Sequence, residues 1–544
     1  MVERAAELAE LRLALQPDAS RLTLPRFLED VVARYGKRVA LRFEGRDLTY
    51  AQLRVAARAV AGGLLSAGIE RGEHVAVLFA NRPEWVICAF GAALAGAVVV
   101  PVSTFATPAE RAFILEHSDA VALLHQRTLL VRDFAEELRT ARRPRCLRLI
   151  ACWGDASFPR DVEREAALEI ISSETAPCDL ALLIYTSGTT AQPKGVLHRH
   201  QAPVIQSWRF AEWMDLALED RVFSAQPFFW TAGIAMSLGA TLAVGATLLL
   251  QETFEPGAAL ALIEGERATT VHAWPHQEKS LAEHPDAARR DLSSVRKIEF
   301  RNALAERIPL ARDEWGMYAS YGTSETFTLA TAFPARTPAE LRHQSHGPPL
   351  PGNTLQIVDP LSGAALAAGV EGEIVLRGPT LMAGYWKQPM DAAFDASGFF
   401  HTGDAGWIDA EGSLHWRGRL SGIIKTGGAN VSPLELEEAL AGFPGVKSSH
   451  ALGVPHPTLG EALVLCVVST ASTPRASLTL AAVRELLRPR LAAYKLPRAL
   501  LVFDASEVEY TASQKVALAP LRERALARLV ADGIEVAGHR YERT

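Results

Sequence analysis

The sequence predicts an α/β protein, with a large N-terminal body of several subdomains on mostly parallel sheet and a small α+β C-terminal domain. Three observations predict it. Short apolar runs alternate with helical patterns from residue 38 onward, the order expected of parallel strands joined by helices. The length of 544 residues far exceeds the roughly 150 residues of an ordinary domain. Finally, Gly418-Arg419-Leu420-Ser421-Gly422 breaks the pattern, and the residues beyond it carry helix and strand signals of their own.

In order, Val39–Phe43 reads as a strand, Tyr50–Ala67 as an amphipathic helix, Val75–Phe79 as a strand, Glu84–Leu94 as a helix and Ala97–Val102 as a buried strand. Gly154–Pro177 mixes Pro, Ser, Asp and Glu and reads as a surface connection between subdomains. The strand pattern returns at Leu182–Tyr185, Ala246–Leu250 and Gly372–Arg377. In the C-terminal part, helices are expected at Pro433–Leu440 and Leu478–Leu487, with strands at Leu463–Val468 and Ala499–Phe503. These signals divide the chain into domains at 1–419 and 420–544.

Composition narrows the function. With 56 Lys plus Arg against 62 Asp plus Glu, the net charge is −6, which excludes a basic polyanion-binding surface as the main theme, so nucleic acid is not an expected partner. The apolar stretches Val86–Val102 and Ala232–Leu250 are interrupted by glycine and read as buried helix and strand rather than the roughly 20-residue run of a membrane span. The first 20 residues form a charged helical pattern unlike a signal peptide. Five cysteines without a CxxC pair suggest neither a zinc ribbon nor a disulfide framework, and a reducing cytoplasmic location is expected. Only nine of the basic residues are lysines, so each lysine stands out against an arginine background.

The sharpest segment is Tyr185-Thr186-Ser187-Gly188-Thr189-Thr190-Ala191-Gln192-Pro193-Lys194-Gly195. An apolar strand runs into a loop with four hydroxyl side chains within five residues, followed by a lysine, which is equipment for surrounding a phosphate chain with donors. Lys194 lies six residues after Gly188, as in GxxxxGK[ST]. However, Pro193 fills the second glycine position and Gly195 the Ser/Thr position, which excludes a P-loop.

Thr186–Gly195 resembles the TSGTTGxPKG phosphate loop of the adenylate-forming enzymes, a superfamily of acyl-CoA synthetases, luciferases and peptide-synthetase adenylation domains. Four further segments resemble the family's motifs in its order: Tyr321-Gly322-Thr323-Ser324-Glu325 (YGxTE), Gly372–Trp386 (GEIxxRGPxxxxGYW), His401-Thr402-Gly403-Asp404 (TGD) and Gly418–Gly428 (GRxKDxIKxxG). The pattern is nearest to acyl-CoA synthetases.

The resemblance implies ATP, Mg²⁺ and CoA as cofactors or co-substrates and a carboxylic acid as substrate. It implies that Thr186, Ser187, Gly188, Thr189, Thr190, Lys194 and Ser324 surround the phosphates, with Lys194 also catalytic, that Tyr321 lies against adenine, that Gly322 is ATP-binding, and that Asp404 and Arg419 bind the ribose. Glu325 is the implied metal ligand. Glu509–Val516 resembles PxTxxGK with Gln514 in the glycine position, which makes Lys515 the implied catalytic lysine between carboxylate and α-phosphate. Joining two anions requires cations and aimed donors where charge builds up. In the family the small domain is mobile and pivots two residues after the arginine; here Ser421 stands at that hinge instead of Asp or Lys. Lys425, Gly427 and Gly428 resemble the loop lining the thiol tunnel.

Gln226–Gly233 resembles the motif preceding the acyl pocket, with Trp230, Gly233 and Ala303 the expected lining. Amino-acid-activating members have Asp where this chain has Trp230, and an unpaired buried ammonium is costly, so an acid without an α-amino group is expected. The small apolar residues Gly233–Ala240 fit either an aliphatic or polycyclic acyl group or plain helix packing. His272 and His276 flank Pro275, and pocket lining or packing is preferred there to a metal pair. The departures at Ala191, Arg301-Asn302, Ser421 and Gln514 keep a non-CoA acceptor open (an amide, a lactone or carrier loading), and with it a degenerate ATP-binding relative.

Overall fold

In the computed structural model the described residues are 21–186, 193–310, 312–317, 319–389, 391–420, 424–426, 429–431, 433–457, 459–470, 478–491, 493–511 and 516–542. They fold into two compact units. One takes the chain up to Leu355 together with Leu376–Phe400 and Gly412–Leu414; the other takes Gln356–Val375, His401–Glu411 and His415 onward.

In the first unit a seven-stranded sheet has the order Gly384–Tyr385, Lys194–Arg199, Leu180–Thr186, Val98–Pro101, His74–Leu78, Ala122–His125, Leu149–Cys152. The last five strands run parallel to one another, while Lys194–Arg199 is antiparallel to both its neighbours. His74–Leu78 is buried along its whole length, as a central parallel strand covered on both faces must be. A five-stranded sheet holds Thr270–His272, Arg221–Ser224, Thr247–Leu250 and Val39–Phe43 in parallel, with Arg46–Thr49 returning antiparallel to Val39–Phe43.

The helices start where local chemistry supplies caps. Tyr50–Ser66 opens on a capping box of Thr49 and Gln52, and Pro108–His117 on one of Thr107 and Glu110. Gly154–Pro177 is not simply a connection. It contains the helix Glu165–Glu174, whose Leu168 and Ser172 are buried, and Phe158 stacks edge-on to Trp153 at 4.8 Å. The Pro- and Ser-containing flanks masked a short amphipathic helix whose apolar face is completed by tertiary packing.

Thr354–Val358, Gly372–Arg377, Phe400–Ile408 and Leu414–Arg419 form a four-stranded sheet, most of whose residues belong to the second unit. A five-stranded sheet follows, centred on the antiparallel pair Val446–His456 and Gly460–Ser469 with Ala499–Phe503 parallel to the latter. The expected helices are found as Pro433–Ala439 and Leu480–Leu487. No helix among the described residues is long and apolar enough to cross a membrane.

Candidate active site

Thr186 and Lys194, at the two ends of the phosphate motif, face each other as the last register pair of two antiparallel strands. Ser187, Gly188, Thr189, Thr190 and Ala191 lie outside the described residues. Lys194 places its Nζ over the Tyr385 ring, 5.0 Å from the centroid.

Glu325 lies on a turn with a demanding backbone. Ser320–Thr323 pairs antiparallel with Thr328–Ala332, and the tight connection Ser324–Thr326 ends on Phe327 at φ 50° and Thr328 at φ 92°. Positive φ at a β-branched residue is strained and persists only when its surroundings enforce it. They do so here. Thr326 Oγ1 accepts from Thr323 N at 2.9 Å and donates to Thr328 O at 2.7 Å. Buried Gln206 donates from Nε2 to Phe327 O at 3.1 Å and Leu329 O at 2.8 Å. A Cβ on Gly322 would meet Thr328 O at 1.9 Å, so the motif glycine is the price of closing this turn.

The segment Met382–Trp386 stitches the two pieces together. Met382 N donates to Glu325 O at 2.7 Å, Ala383 N to Leu197 O at 2.7 Å and Trp386 N to Gly195 O at 2.8 Å. Tyr385 donates its hydroxyl to Glu325 Oε1 at 2.8 Å. Beneath them His198 is wholly buried against Phe327, ring centroids 4.8 Å apart, and burial pushes its pKa down to about 3, so it is neutral. Tyr321 is buried on the same hairpin, while Gly322, Ser324 and Glu325 are half-buried. Lys194, Tyr321, Gly322, Ser324 and Glu325 therefore come from two hairpins of one unit joined by a third segment.

A second cluster surrounds Trp230. Its ring lies 5.4 Å from Phe229, 6.1 Å from Phe105 and 6.5 Å from Trp274, all edge-on. Phe105 is 54% exposed, so the cluster presents an apolar ring to solvent. The Trp274 indole N–H is shut away from solvent with no hydrogen-bond partner among the described residues, an arrangement that ordinarily costs free energy. Gly233 opens a π-helical turn, Gly233–Gly239, and a Cβ there would meet Pro227 O at 2.0 Å. π-turns inside helices are often found at functional sites.

Behind the rings runs a buried polar network. Gln226 Oε1 accepts from Ser237 Oγ at 3.1 Å, its Nε2 donates to His272 Nε2 at 3.3 Å, and Asn81 Nδ2 donates to Gln226 O at 2.8 Å. Burial holds His272 neutral, its pKa lowered to about 4. One turn beyond Trp274, burial raises Glu278 to about 8, and burial likewise raises Glu299 to about 7. Ala303 lies exposed on the Arg301–Leu304 turn, and among the described residues no hydrogen bond or ring contact joins it to Trp230. The side chain of His276 lies outside the described residues.

In the second unit, Asp404 is 3% exposed on the strand Phe400–Ile408, and its N–H donates to Thr402 Oγ1 at 3.0 Å. Glu373 of the preceding motif accepts from Gly403 N at 3.0 Å and pairs with His401 Nδ1 at 2.8 Å, so one motif shapes the next. Arg419 ends the strand Leu414–Arg419, and Lys425 faces Asn430 in a hairpin of Ile424–Thr426 with Ala429–Val431. Ser421, Gly427, Gly428, Gln514 and Lys515 lie outside the described residues. Sequence reasoning did not single out Tyr385, Gln206 or Phe105. Tyr385 sat inside a quoted motif, and its place opposite Val196 in the sheet was the missing information.

Residues 28–386 match the family model of the AMP-binding enzyme, and residues 435–515 that of the AMP-binding enzyme C-terminal domain. A feruloyl-CoA synthase of an Amycolatopsis species is 32% identical over 493 residues, covering 89% of this chain and 95% of that protein. A 3-[(3aS,4S,7aS)-7a-methyl-1,5-dioxo-octahydro-1H-inden-4-yl]propanoyl:CoA ligase of Mycobacterium tuberculosis is also 32% identical, over 515 residues, covering 92% and 98% of the two chains. Among solved structures, an amide bond synthetase of Marinactinospora thermotolerans is 28% identical with a TM-score of 0.74, covering 92% of this chain and 99% of that one. The chain belongs to the AMP-binding enzymes.

Proposed function

We propose that this member of the AMP-binding enzymes is an AMP-forming carboxylic acid:CoA ligase acting on a ring-bearing acid without an α-amino group. The observation that carries the reading is the pairing of Lys194 and Glu325 through Tyr385, in the same unit as an aromatic cluster in which Trp230 stands where an Asp would pair a substrate ammonium. A carboxylate oxygen attacks the α-phosphorus of ATP, the bond to the β-phosphate breaks, and pyrophosphate leaves. The CoA sulfur then attacks the acyl carbon, the carbon–oxygen bond to AMP breaks, and the thiol proton passes to solvent.

In this reading Thr186, Lys194 and Ser324, with Ser187, Gly188, Thr189 and Thr190, bind and orient the phosphates, and Tyr321 and Gly322 border the adenine. Motif resemblance assigns Asp404 and Arg419 to the ribose, Lys515 to the reacting carboxylate, Ser421 to the hinge between 1–419 and 420–544, and Lys425, Gly427 and Gly428 to the thiol tunnel. Trp230 and Gly233 line the acyl group, with Ala303 at its entrance. Glu325 suits Mg²⁺: Tyr385 holds Oε1, a hard carboxylate oxygen remains, and among the described residues no cluster of three or more His, Cys, Asp or Glu can hold a metal alone, which fits a cation shared with nucleotide phosphates. When bound there, Mg²⁺ supplies charge neutralisation to the phosphate oxygens. The five cysteines are all free thiols, which supports a reducing, cytoplasmic setting.

The test is pyrophosphate release and product mass from a panel of aromatic, polycyclic and aliphatic acids, with and without CoA. Acyl-CoA formed only when CoA is present is the expected result, and no pyrophosphate with any acid refutes adenylation. The 28%-identical amide bond synthetase favours one second reading, an amine acceptor, which CoA-independent amide products would select.

A further inference from the structure

Lys194 and Glu325 carry opposite charges and both reach Tyr385, yet among the described residues neither forms an ion pair with any partner. The lysine rests on the face of the ring and the carboxylate on the hydroxyl, with Nζ 5.0 Å from the centroid and Oε1 2.8 Å from the hydroxyl oxygen. A tyrosine is suited to this, because its ring face attracts a cation while its O–H donates to an anion. The backbone leaves the residue little freedom. Tyr385 pairs with Val196 in the sheet, Met382 N is bonded to Glu325 O, Trp386 N to Gly195 O, and Trp386 Nε1 to His117 O at 2.9 Å.

We infer that Tyr385 is a positioning residue that holds the phosphate-loop lysine and the metal-binding glutamate apart while aiming both. Direct contact between Lys194 and Glu325 would neutralise each and draw the lysine away from phosphate and the carboxylate away from a cation. With the ring engaging the lysine, both charges stay available, and the hydroxyl holds one carboxylate oxygen, which leaves the other for a cation. The inference rests on the reading that Glu325 binds Mg²⁺ and that Lys194 binds phosphate, and it adds a residue to which neither task had been assigned.

Two variants separate the functions of face and hydroxyl. Tyr385→Phe keeps the ring and loses the donor; removing the hydrogen-bond partner of a metal-ligating carboxylate costs about 10- to 100-fold in metal affinity. Its Mg²⁺ requirement for pyrophosphate release should rise by about that factor. The binding of Mn²⁺ to the enzyme–ATP complex, read by electron paramagnetic resonance, should weaken in step, while metal-free ATP binding by calorimetry stays at the wild-type value. Tyr385→Leu also loses the ring, Lys194 is free to fall onto Glu325, and metal-free ATP binding should weaken by about 2- to 5-fold.

Glu325→Gln is measured alongside. If it shifts the metal requirement and Tyr385→Phe does not, the positioning role is overturned while the metal assignment stands. If neither variant shifts it, the assignment of Glu325 fails and the inference falls with it. Equal metal-free ATP binding by Tyr385→Leu and Tyr385→Phe overturns the spacer function of the ring. Thermal midpoints of both Tyr385 variants identify a folding defect, and Tyr385→Phe, which preserves the packing, decides the matter if Tyr385→Leu is unstable.

Discussion

The Lys194–Glu325 region and the Trp230–Trp274 region lie in the same unit and are built in opposite ways. The first is two hairpins whose strained turn and paired strands are held by hydrogen bonds to backbone carbonyls, from the Gln206 and Thr326 side chains and from Met382 N. The second is four aromatic rings packed edge-on, drawn from three separate stretches of chain and backed by buried amides and hydroxyls. Backbone bonds fix the position of a charge, whereas side-chain packing fixes the shape of a cavity. The contrast teaches that chemistry and specificity are separable here, so a substitution in one region should leave the other's task intact.

The sharpest break of that separation is Glu325→Gln. It removes the carboxylate proposed to hold the Mg²⁺ that offsets phosphate charge, and the loss of one such transition-state stabiliser costs about 10²- to 10³-fold in rate. Pyrophosphate release under saturating acid should fall by that factor, with the KM for the acid unchanged. An equal rise in acid KM would show that the two regions act as one.

Two glycines test the backbone side of the comparison, with a smaller effect. Gly322→Ala drives a methyl to 1.9 Å from Thr328 O, and Gly233→Ala drives one to 2.0 Å from Pro227 O, unless the backbone shifts. Overpacking of this kind costs about 1–3 kcal/mol. Thermal midpoints should drop for both. At a temperature where both stay folded, Gly322→Ala should impair ATP binding and Gly233→Ala acid binding, each in steady-state KM.

How much of this was legible in the sequence follows the same division. The strand running into Thr186, the polar loop after it and the alternation behind the parallel strands were readable from local residue types, but not that Lys194 opens a strand pairing back on Leu180–Thr186 or that Gly322 borders a tight turn. Nor was the partner of Trp230. Phe105 comes from another segment and is brought in only when the two sheets pack, and Glu278 gains its raised pKa from burial that no local pattern announces. The helix Glu165–Glu174 was missed for a related reason, since four or five apolar residues between polar flanks look like a loop until a neighbouring helix covers them. Tyr385 stood in a motif whose spacing shows the strand but not that its hydroxyl meets Glu325.

Trp230→Ala probes the packed side. Removing a large ring from the acyl surface forfeits about 1.5–3 kcal/mol of apolar burial, so the KM for the preferred ring-bearing acid should rise by about tenfold or more. Release of pyrophosphate at saturating acid should stay near wild type. A fall in that rate with unchanged KM would move Trp230 out of the acyl surface and into the chemistry.

The smallest expected effect is in pH dependence, where buried carboxyls and buried histidines carry opposite signs. Burial raises Glu278 to about 8 and Glu299 to about 7, above the usual carboxyl value of about 4.3. Their contribution to stability is fully present below that usual value. It is lost as pH rises through the folded pKa values, because the unfolded chain releases protons that the folded one keeps. His198, under the Glu325 turn, runs the other way: its folded pKa of about 3 lies below the usual 6.5, so its contribution is present above 6.5 and lost as pH falls toward 3. His272, lowered to about 4, acts with His198, so between roughly pH 4.5 and 6.5 the carboxyls and histidines oppose each other. Above that window the carboxyls act alone. The thermal midpoint should therefore decline from about pH 6.5 to about pH 8, and Glu278→Gln, which cannot ionise, should make that decline shallower while leaving the acid limb in place. A decline of the same steepness in Glu278→Gln would mean that its carboxyl is not the group held neutral, and would take the titrating charge out of the wall behind Trp274.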